Sequence, residues 1–150
     1  MTTRGFALAE LMMVLAIGST LAALVAPMLF GYAKTAALQA AARELATSIN
    51  LGRHIAISRN TAVCVEVASA TSIRLRTGGC GGAVWTGPGT DASGAIAISS
   101  AGVTHVSTTA NVVFTSLGAA SPGGTYTLTG SSGAGARSVV VAATGRVSVR

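Results

Sequence analysis

The chain has 150 residues, of which 50% are hydrophobic and only 9% are charged. Beyond any membrane anchor this length leaves one domain. Ten basic and four acidic residues give a net charge of +6, a mild basic bias that is compatible with anionic partners. Because four carboxylates and two histidines offer few acid–base groups, the composition argues against an enzyme. The 19 glycines and scarce aromatic residues favour short strands, many turns and a small core.

The first element is an apolar stretch from Phe6 to Phe30 that contains a single charge, Glu10. As a helix it would reach about 37 Å, enough to cross a bilayer core with some tilt. A cleaved secretory signal is the alternative, with Leu24-Val25-Ala26 as its cut site. Pro27 directly after that cut, and Glu10 at the start of the apolar core, both argue against it. A buried lone carboxylate is costly, so Glu10 needs a partner or a functional reason.

The segment Gly5-Phe6-Ala7-Leu8-Ala9-Glu10-Leu11-Met12 resembles the class III signal of type IV pilins and pseudopilins. In that family a dedicated peptidase cuts after the glycine. The resemblance therefore implies cleavage between Gly5 and Phe6, and methylation of the new N-terminus at Phe6. One departure is Ala7-Leu8-Ala9, where Thr-Leu-Ile is more usual. Pro27 also falls where pilin helices commonly carry a proline.

Glu10 lies four residues after Phe6, so the new amine and the carboxylate share one helix face and could pair within one chain. The resemblance implies that in a filament Glu10 pairs with the Phe6 amine of a neighbouring subunit, which sets the register of assembly. Because a buried charge without a partner is costly, such a pair would discriminate correct from incorrect docking.

The helical pattern continues after the membrane segment. Apolar residues that recur at helical spacing predict an amphipathic stripe made of Leu38, Ala41, Ala42, Leu45, Ile49 and Ala56. We expect one helix from about Phe6 to Ser58, kinked or softened at Pro27, where proline removes a backbone hydrogen bond. Arg59-Asn60 then ends the helix.

From Thr61 onwards apolar and polar residues alternate, which is typical of β-strands. One hairpin is predicted with strands at 63–67 and 73–76, and another with strands at 138–142 and 146–150. Weaker strands are expected at 95–99, 103–106, 112–115 and 125–128, and residues 77–89 are expected to form a loop or irregular edge. The predicted fold class is α+β, in which a long N-terminal helix with a transmembrane first half packs on an antiparallel β-sheet head.

Three segments resemble GspH/FimT-type minor pseudopilins, the type II secretion system protein H family. They are residues 51–64, Phe114-Thr115-Ser116-Leu117-Gly118 and residues 139–147. The resemblance implies a leader at 1–5, a transmembrane helix part at 6–30, an amphipathic part at 31–59 and a periplasmic β-rich head at 60–150.

Cys64 and Cys80 would meet an oxidising compartment if the head is exported, which permits a disulfide between them. The alternative is two small buried apolar residues. Their spacing is not C-x-x-C and no histidine lies close in sequence, so we expect no metal site. No cofactor is expected either.

Arginines on exposed strand faces form a second candidate site. The candidate DNA contacts are Arg137, Arg146 and Arg150, which together with Arg74 and Arg76 could form one basic stripe along phosphates. In the FimT branch a C-terminal Gly-Arg motif with a second arginine two residues on is associated with DNA capture. Gly145-Arg146 resembles its start, but Ser148 occupies the second position. Solvated strand faces are the favoured interpretation, because no aromatic residue interleaves the arginines.

These features predict a minor pseudopilin of a type II secretion pseudopilus that assembles through its N-terminal helix. The alternative is a FimT-like minor type IV pilin that binds DNA for uptake. The expected partners are other pseudopilins or pilins, the prepilin peptidase and the inner membrane, with DNA less favoured. The resemblance also implies a single-pass inner-membrane protein with its head in the periplasm.

Overall fold

The computed structural model describes residues 8–98, 103–130 and 135–150. Within these ranges one long helix, α1 (Leu8–Ser58), precedes nine strands. The strands are β1 (Val63–Ser69), β2 (Ser72–Thr77), β3 (Ala83–Val84), β4 (Ala95–Ala97), β5 (Val103–Thr108), β6 (Val112–Phe114), β7 (Gly124–Gly130), β8 (Ala136–Val141) and β9 (Val147–Val149). The chain divides into two units, Met1–Ala33 and Lys34–Arg150. The predicted α+β class, a long helix with an antiparallel β-rich head, is confirmed.

Helix α1 ends at Ser58, as expected, and Asn60 provides the termination. The Thr61 N–H donates to the Ala56 carbonyl at 3.1 Å, and the Asn60 N–H donates to the Ile57 carbonyl at 3.3 Å. Asn60 itself takes a φ of 49°. This is the Schellman arrangement, in which a residue in the left-handed region satisfies the last carbonyls and turns the chain into β1.

The amphipathic part of α1 packs against the head through its predicted stripe, and every residue of that stripe is buried. Gly52 marks a close approach between the helix and β1 and β2. A Cβ on Gly52 would lie 3.1 Å from Leu75 Cδ2 and 3.3 Å from Val65 Cγ2. Glycine costs a helix interior about 1 kcal/mol relative to alanine, and here it allows the helix to pack closely on the strands.

The described strands form two antiparallel sheets. The first has the order β3-β2-β1-β6, with β4 also paired to β2, and the second has the order β5-β7-β8-β9. The two predicted hairpins are present as β1–β2, with Val65 opposite Leu75, and β8–β9, with Val140 opposite Ser148. The short strand β3 lies at one edge of the first sheet, within the stretch predicted to be a loop or irregular edge. Residue 99, at the end of one expected strand, lies outside the described residues.

Tyr126 joins the two sheets through the core. Its side chain is fully buried, and its hydroxyl donates to the Val65 carbonyl in β1 at 2.8 Å. The same hydroxyl accepts from the Val112 N–H in β6 at 3.2 Å. Burial raises the pKa of Tyr126 to about 12, because the phenolate would lose its hydration there. One tyrosine of the second sheet is thus hydrogen-bonded to two strands of the first.

Candidate functional site

The first candidate site is the apolar part of α1. Its described side chains at 8–25 and 29–36 are all exposed, among them Leu15 at 64% and Phe30 at 69%. In the described part of the chain, α1 is the one helix long and apolar enough to cross a membrane. So large an exposed apolar surface is unfavourable in water, and lipid or other helices would stabilise it.

Glu10 is the only charged residue between Leu8 and Phe30, and its side chain is exposed. No side chain among the described residues is hydrogen-bonded or ion-paired to it. In apolar surroundings its carboxylate therefore needs a positive partner. Gly5 and Phe6 lie outside the described residues, so cleavage between them and methylation of Phe6 stay predictions.

The arginines expected to contact DNA are split between the two faces of the β8–β9 hairpin. Arg137 shares the face of β8 that carries Val139 and Val141, both of which are buried. Arg146 and Arg150 lie on the opposite face, because Arg150 pairs with Ser138 through backbone hydrogen bonds of 2.7 and 3.0 Å. The expected single stripe through all three arginines is therefore wrong, whereas Arg146 and Arg150 do share a face.

The two remaining arginines of the expected stripe lie in the other sheet and are held by Glu66. Arg76 Nε donates to Glu66 Oε1 at 2.8 Å, and Arg76 Nη1 donates to the Gly82 carbonyl at 3.1 Å. Arg74 Nη1 lies 3.6 Å from the same Glu66 oxygen. Because these groups are largely covered and share one carboxylate, they are poorly placed to bind phosphates.

A disulfide joins Cys64 in β1 to Cys80, with 4.9 Å between their Cα atoms. Cys64 is buried, and it lies opposite Arg76 in the β1–β2 register. The Arg76 hydrogen bond to Gly82 acts on the same glycine-rich segment as the disulfide. Two cross-links therefore hold residues 78–82 against the sheet.

One contact cluster was not predicted from the sequence, and it joins three distant segments. Arg53 Nε donates to the Gly118 carbonyl at 2.9 Å. Gly118 and Gly145 have φ values of 81° and 79°, which favour glycine. A Cβ on Gly145 would overlap the Gly118 carbonyl oxygen and lie 3.1 Å from Arg53 Nε. We call Arg53, Gly118 and Gly145 the glycine junction.

The only sequence signal for the glycine junction was that its residues fall in the three segments that resemble the GspH/FimT type. Nothing local in the sequence indicates that these segments touch. In the structure the Ala120 N–H also donates to the Ala143 carbonyl at 2.9 Å. The cluster therefore holds the turn after β6, the turn between β8 and β9, and the end of α1 together.

The candidate sites among the described residues are surfaces. Among the residues that the structure describes, no three His, Cys, Asp or Glu side chains lie together as metal ligands would, and no ligand cavity is found. The described surface instead offers the apolar helix, the pair Arg146 and Arg150, and the region of the glycine junction.

Comparisons with known proteins agree with this architecture. The family described as "Type II transport protein GspH" matches residues 41–145, a span that includes the whole glycine junction. No curated protein matches the chain. Two crystal structures of the type IV minor pilin FimU from Pseudomonas aeruginosa (strain PAO1) are similar, each 17% identical over 75% of this chain. They have TM-scores of 0.55 and 0.52, and the similarity covers 87% and 92% of those chains.

At this identity the FimU structures show the fold alone, which is that of a type IV pilin. The family match shows more than the fold, namely the family itself, because it spans well over half of the chain. It begins in the amphipathic part of α1 and ends at Gly145, in the turn before β9. The chain therefore belongs to the GspH family and is a pilin-like pseudopilin.

Proposed function

We propose that the protein is a minor pseudopilin of a type II secretion pseudopilus, trimmed after Gly5 by a prepilin peptidase and assembled through α1. The observation that carries this proposal is the exposed apolar part of α1, which has a single carboxylate, in a chain whose head belongs to the GspH family. Membership of a pilin-like family implies association with other pilins or pseudopilins, and the apolar part of α1 provides a surface for it.

In this proposal Glu10 provides the specificity of assembly. Trimming creates an amine on Phe6, and the Glu10 carboxylate of one subunit pairs with the Phe6 amine of another. A helix docked in the wrong register leaves both charges unpaired in apolar surroundings, which is strongly unfavourable. Before assembly α1 anchors the subunit in the inner membrane, with the head in the periplasm, where disulfides such as Cys64–Cys80 persist.

Two variants test this proposal. Glu10→Ala should abolish recovery of the protein in sheared filaments while leaving it resistant to alkaline extraction from membranes. Thr20→Ala is the matched control, because it also removes a polar group from the exposed part of α1. Gly5→Leu should leave an untrimmed N-terminus by mass spectrometry. Normal incorporation of Glu10→Ala, or normal trimming of Gly5→Leu, would refute the proposal.

DNA capture is a second candidate function, favoured by one observation. Arg146 and Arg150 are exposed on one face, and neither guanidinium has a hydrogen-bond or ion-pair partner within the described residues. Each arginine that contacts a phosphate should contribute about one unit to the salt dependence of binding. Fluorescence anisotropy of a labelled duplex with the full chain in detergent measures this. Loss of binding in Arg146→Ala/Arg150→Ala but not Arg43→Ala supports DNA capture, and no binding at low salt removes it.

A further inference from the structure

Leu117 is the most exposed large apolar side chain of the described head. It is 89% exposed, in a turn that the Gly118 N–H closes by donating to the Thr115 carbonyl at 2.8 Å. Ile57, at the end of α1, is 48% exposed, and its Cδ1 lies 2.8 Å from where a Cβ on Gly118, the next residue of that turn, would be. Exposed aliphatic side chains from two separate elements thus reach the surface at the same turn.

The turn that presents Leu117 is held on both sides. The Thr115 N–H donates to the Ala119 carbonyl at 2.8 Å, and Arg53 Nε holds the Gly118 carbonyl from the helix. The glycine junction adds the close contact with Gly145. The turn is therefore already ordered, and binding of a partner over Leu117 loses little conformational entropy. This favours a protein contact at this position.

The charges around this surface are positive. Arg53 borders it from the helix, and Arg146 directly follows Gly145 of the glycine junction. Neither arginine has a carboxylate partner among the described residues. We name Ile57, Leu117, Arg53 and Arg146 the Leu117 patch. An apolar centre with a positive rim complements an apolar pocket with carboxylates around it.

A second copy of this chain is a poor source of those carboxylates. Of its four acidic residues, Glu10 lies in the apolar part of α1, Glu44 is half-buried on α1, and Glu66 is shared by Arg74 and Arg76. Asp91 accepts three hydrogen bonds, each 2.8 Å long, in its own turn. A different protein is therefore the better source of the complementary charge.

We propose that the Leu117 patch is the docking surface for a different, acidic protein subunit, whose apolar pocket receives Leu117 and whose carboxylates face Arg53 and Arg146. This proposal deepens the proposed function, on which it rests, by assigning the head a partner contact of its own. Nucleic acid is a poorer fit, because an exposed leucine and isoleucine offer no stacking surface for bases.

Site-specific photo-crosslinking in intact cells tests the patch. The probe is p-benzoylphenylalanine in place of Leu117 in the full chain, with the same residue at the exposed Ala92 as the control position. Irradiation should give an adduct from position 117, identified by mass spectrometry as a different protein whose cross-linked peptide lies beside Asp or Glu. Position 92 should not give that adduct.

Charge reversal separates docking from chance proximity. Arg146→Glu should lower the adduct yield from position 117 by about tenfold, because like charges would then face each other. Arg43→Glu makes the same change on the exposed side of α1, about 15 Å before Arg53 along the helix, and should leave the yield unchanged. No adduct, an adduct only with itself, lipid or DNA, or equal yields in the two variants would overturn the proposal.

A probe at Leu15 distinguishes this inference from the proposed function. Adducts from position 15 with other pseudopilins, without any adduct from position 117, would refute the Leu117 patch and leave assembly through α1 standing. An adduct from position 117 with an acidic protein, but none from position 15, would support the patch and count against assembly through α1.

Discussion

Replacing Gly145 with alanine should destabilise the head far more than the loss of one glycine normally does. Alanine at a φ of 79° costs about 1–2 kcal/mol. Its Cβ would also overlap the Gly118 carbonyl oxygen. Moving that carbonyl breaks the 2.9 Å hydrogen bond from Arg53, and a bond to a charged donor contributes about 1.5–3 kcal/mol. We expect a total loss of about 3–5 kcal/mol.

Gly135→Ala is the matched control, because Gly135 has a φ of 77° but no atom of the described residues lies within 4 Å of its added Cβ. It should cost only the backbone strain of about 1–2 kcal/mol. Urea unfolding of the full chain in detergent, followed by the fluorescence of the single tryptophan, Trp85, measures both values. Trp85 is 8% exposed and should report loss of the core. If the two variants lose the same stability, the contact argument for Gly145 is wrong.

Two further features of the head give measurable predictions. Tyr126→Phe should cost about 1–3 kcal/mol, because the buried Val65 carbonyl loses its donor; in urea unfolding, Tyr32→Phe on the exposed helix should cost nothing. The pKa of tyrosine is about 10 in the unfolded chain and about 12 for Tyr126 in the folded protein. The folded state therefore keeps this proton up to a higher pH than the unfolded state does. The free energy of unfolding should therefore fall by about 1.4 kcal/mol per pH unit between these values, and Tyr126→Phe should remove that slope. Cys64→Ser/Cys80→Ser should cost about 3 kcal/mol through the freer unfolded chain, and an unchanged urea midpoint would contradict this.

Local patterns in the sequence predicted the elements well, since each depends on neighbouring residues. The stripe from Leu38 to Ala56 follows the helical period, and all its members are buried. Alternation around Val65 and Leu75 likewise predicted the β1–β2 hairpin. The helical and strand periods are fixed by backbone geometry alone. They can therefore be recognised in the sequence without knowledge of tertiary contacts.

The prediction of a single arginine stripe was wrong because alternation shows which residues share a face within one strand. It does not show which faces of two neighbouring strands coincide. The β8–β9 register, with Val141 opposite Val147, places Arg146 and Arg150 on the face opposite Arg137. A shift of one residue in the pairing would have reversed this relation. The register depends on the turn at 143–145, where the close contact of Gly145 with Gly118 comes from a distant segment.

The glycine junction changes how Gly145-Arg146 is interpreted. From the sequence, this dipeptide resembles the start of a DNA-capture motif. In the structure Gly145 has a packing reason of its own, because no side chain fits against the Gly118 carbonyl. Of the two residues in this dipeptide, only Arg146 then bears on DNA capture. The residues that explain Gly145 lie far away in sequence, at positions 53 and 118, so local patterns could not have indicated them.

The hydrophobic core of the head includes a large share of α1. Leu38, Leu45 and Ile49 belong to the same buried cluster as Phe114 and Tyr126. A recombinant version that starts at β1 would lack those side chains and open the inner surfaces of both sheets to water. The compact unit that begins at Lys34 marks where a water-soluble version should start. In this protein the part of α1 from Lys34 onwards is as much a part of the folded head as any of its strands.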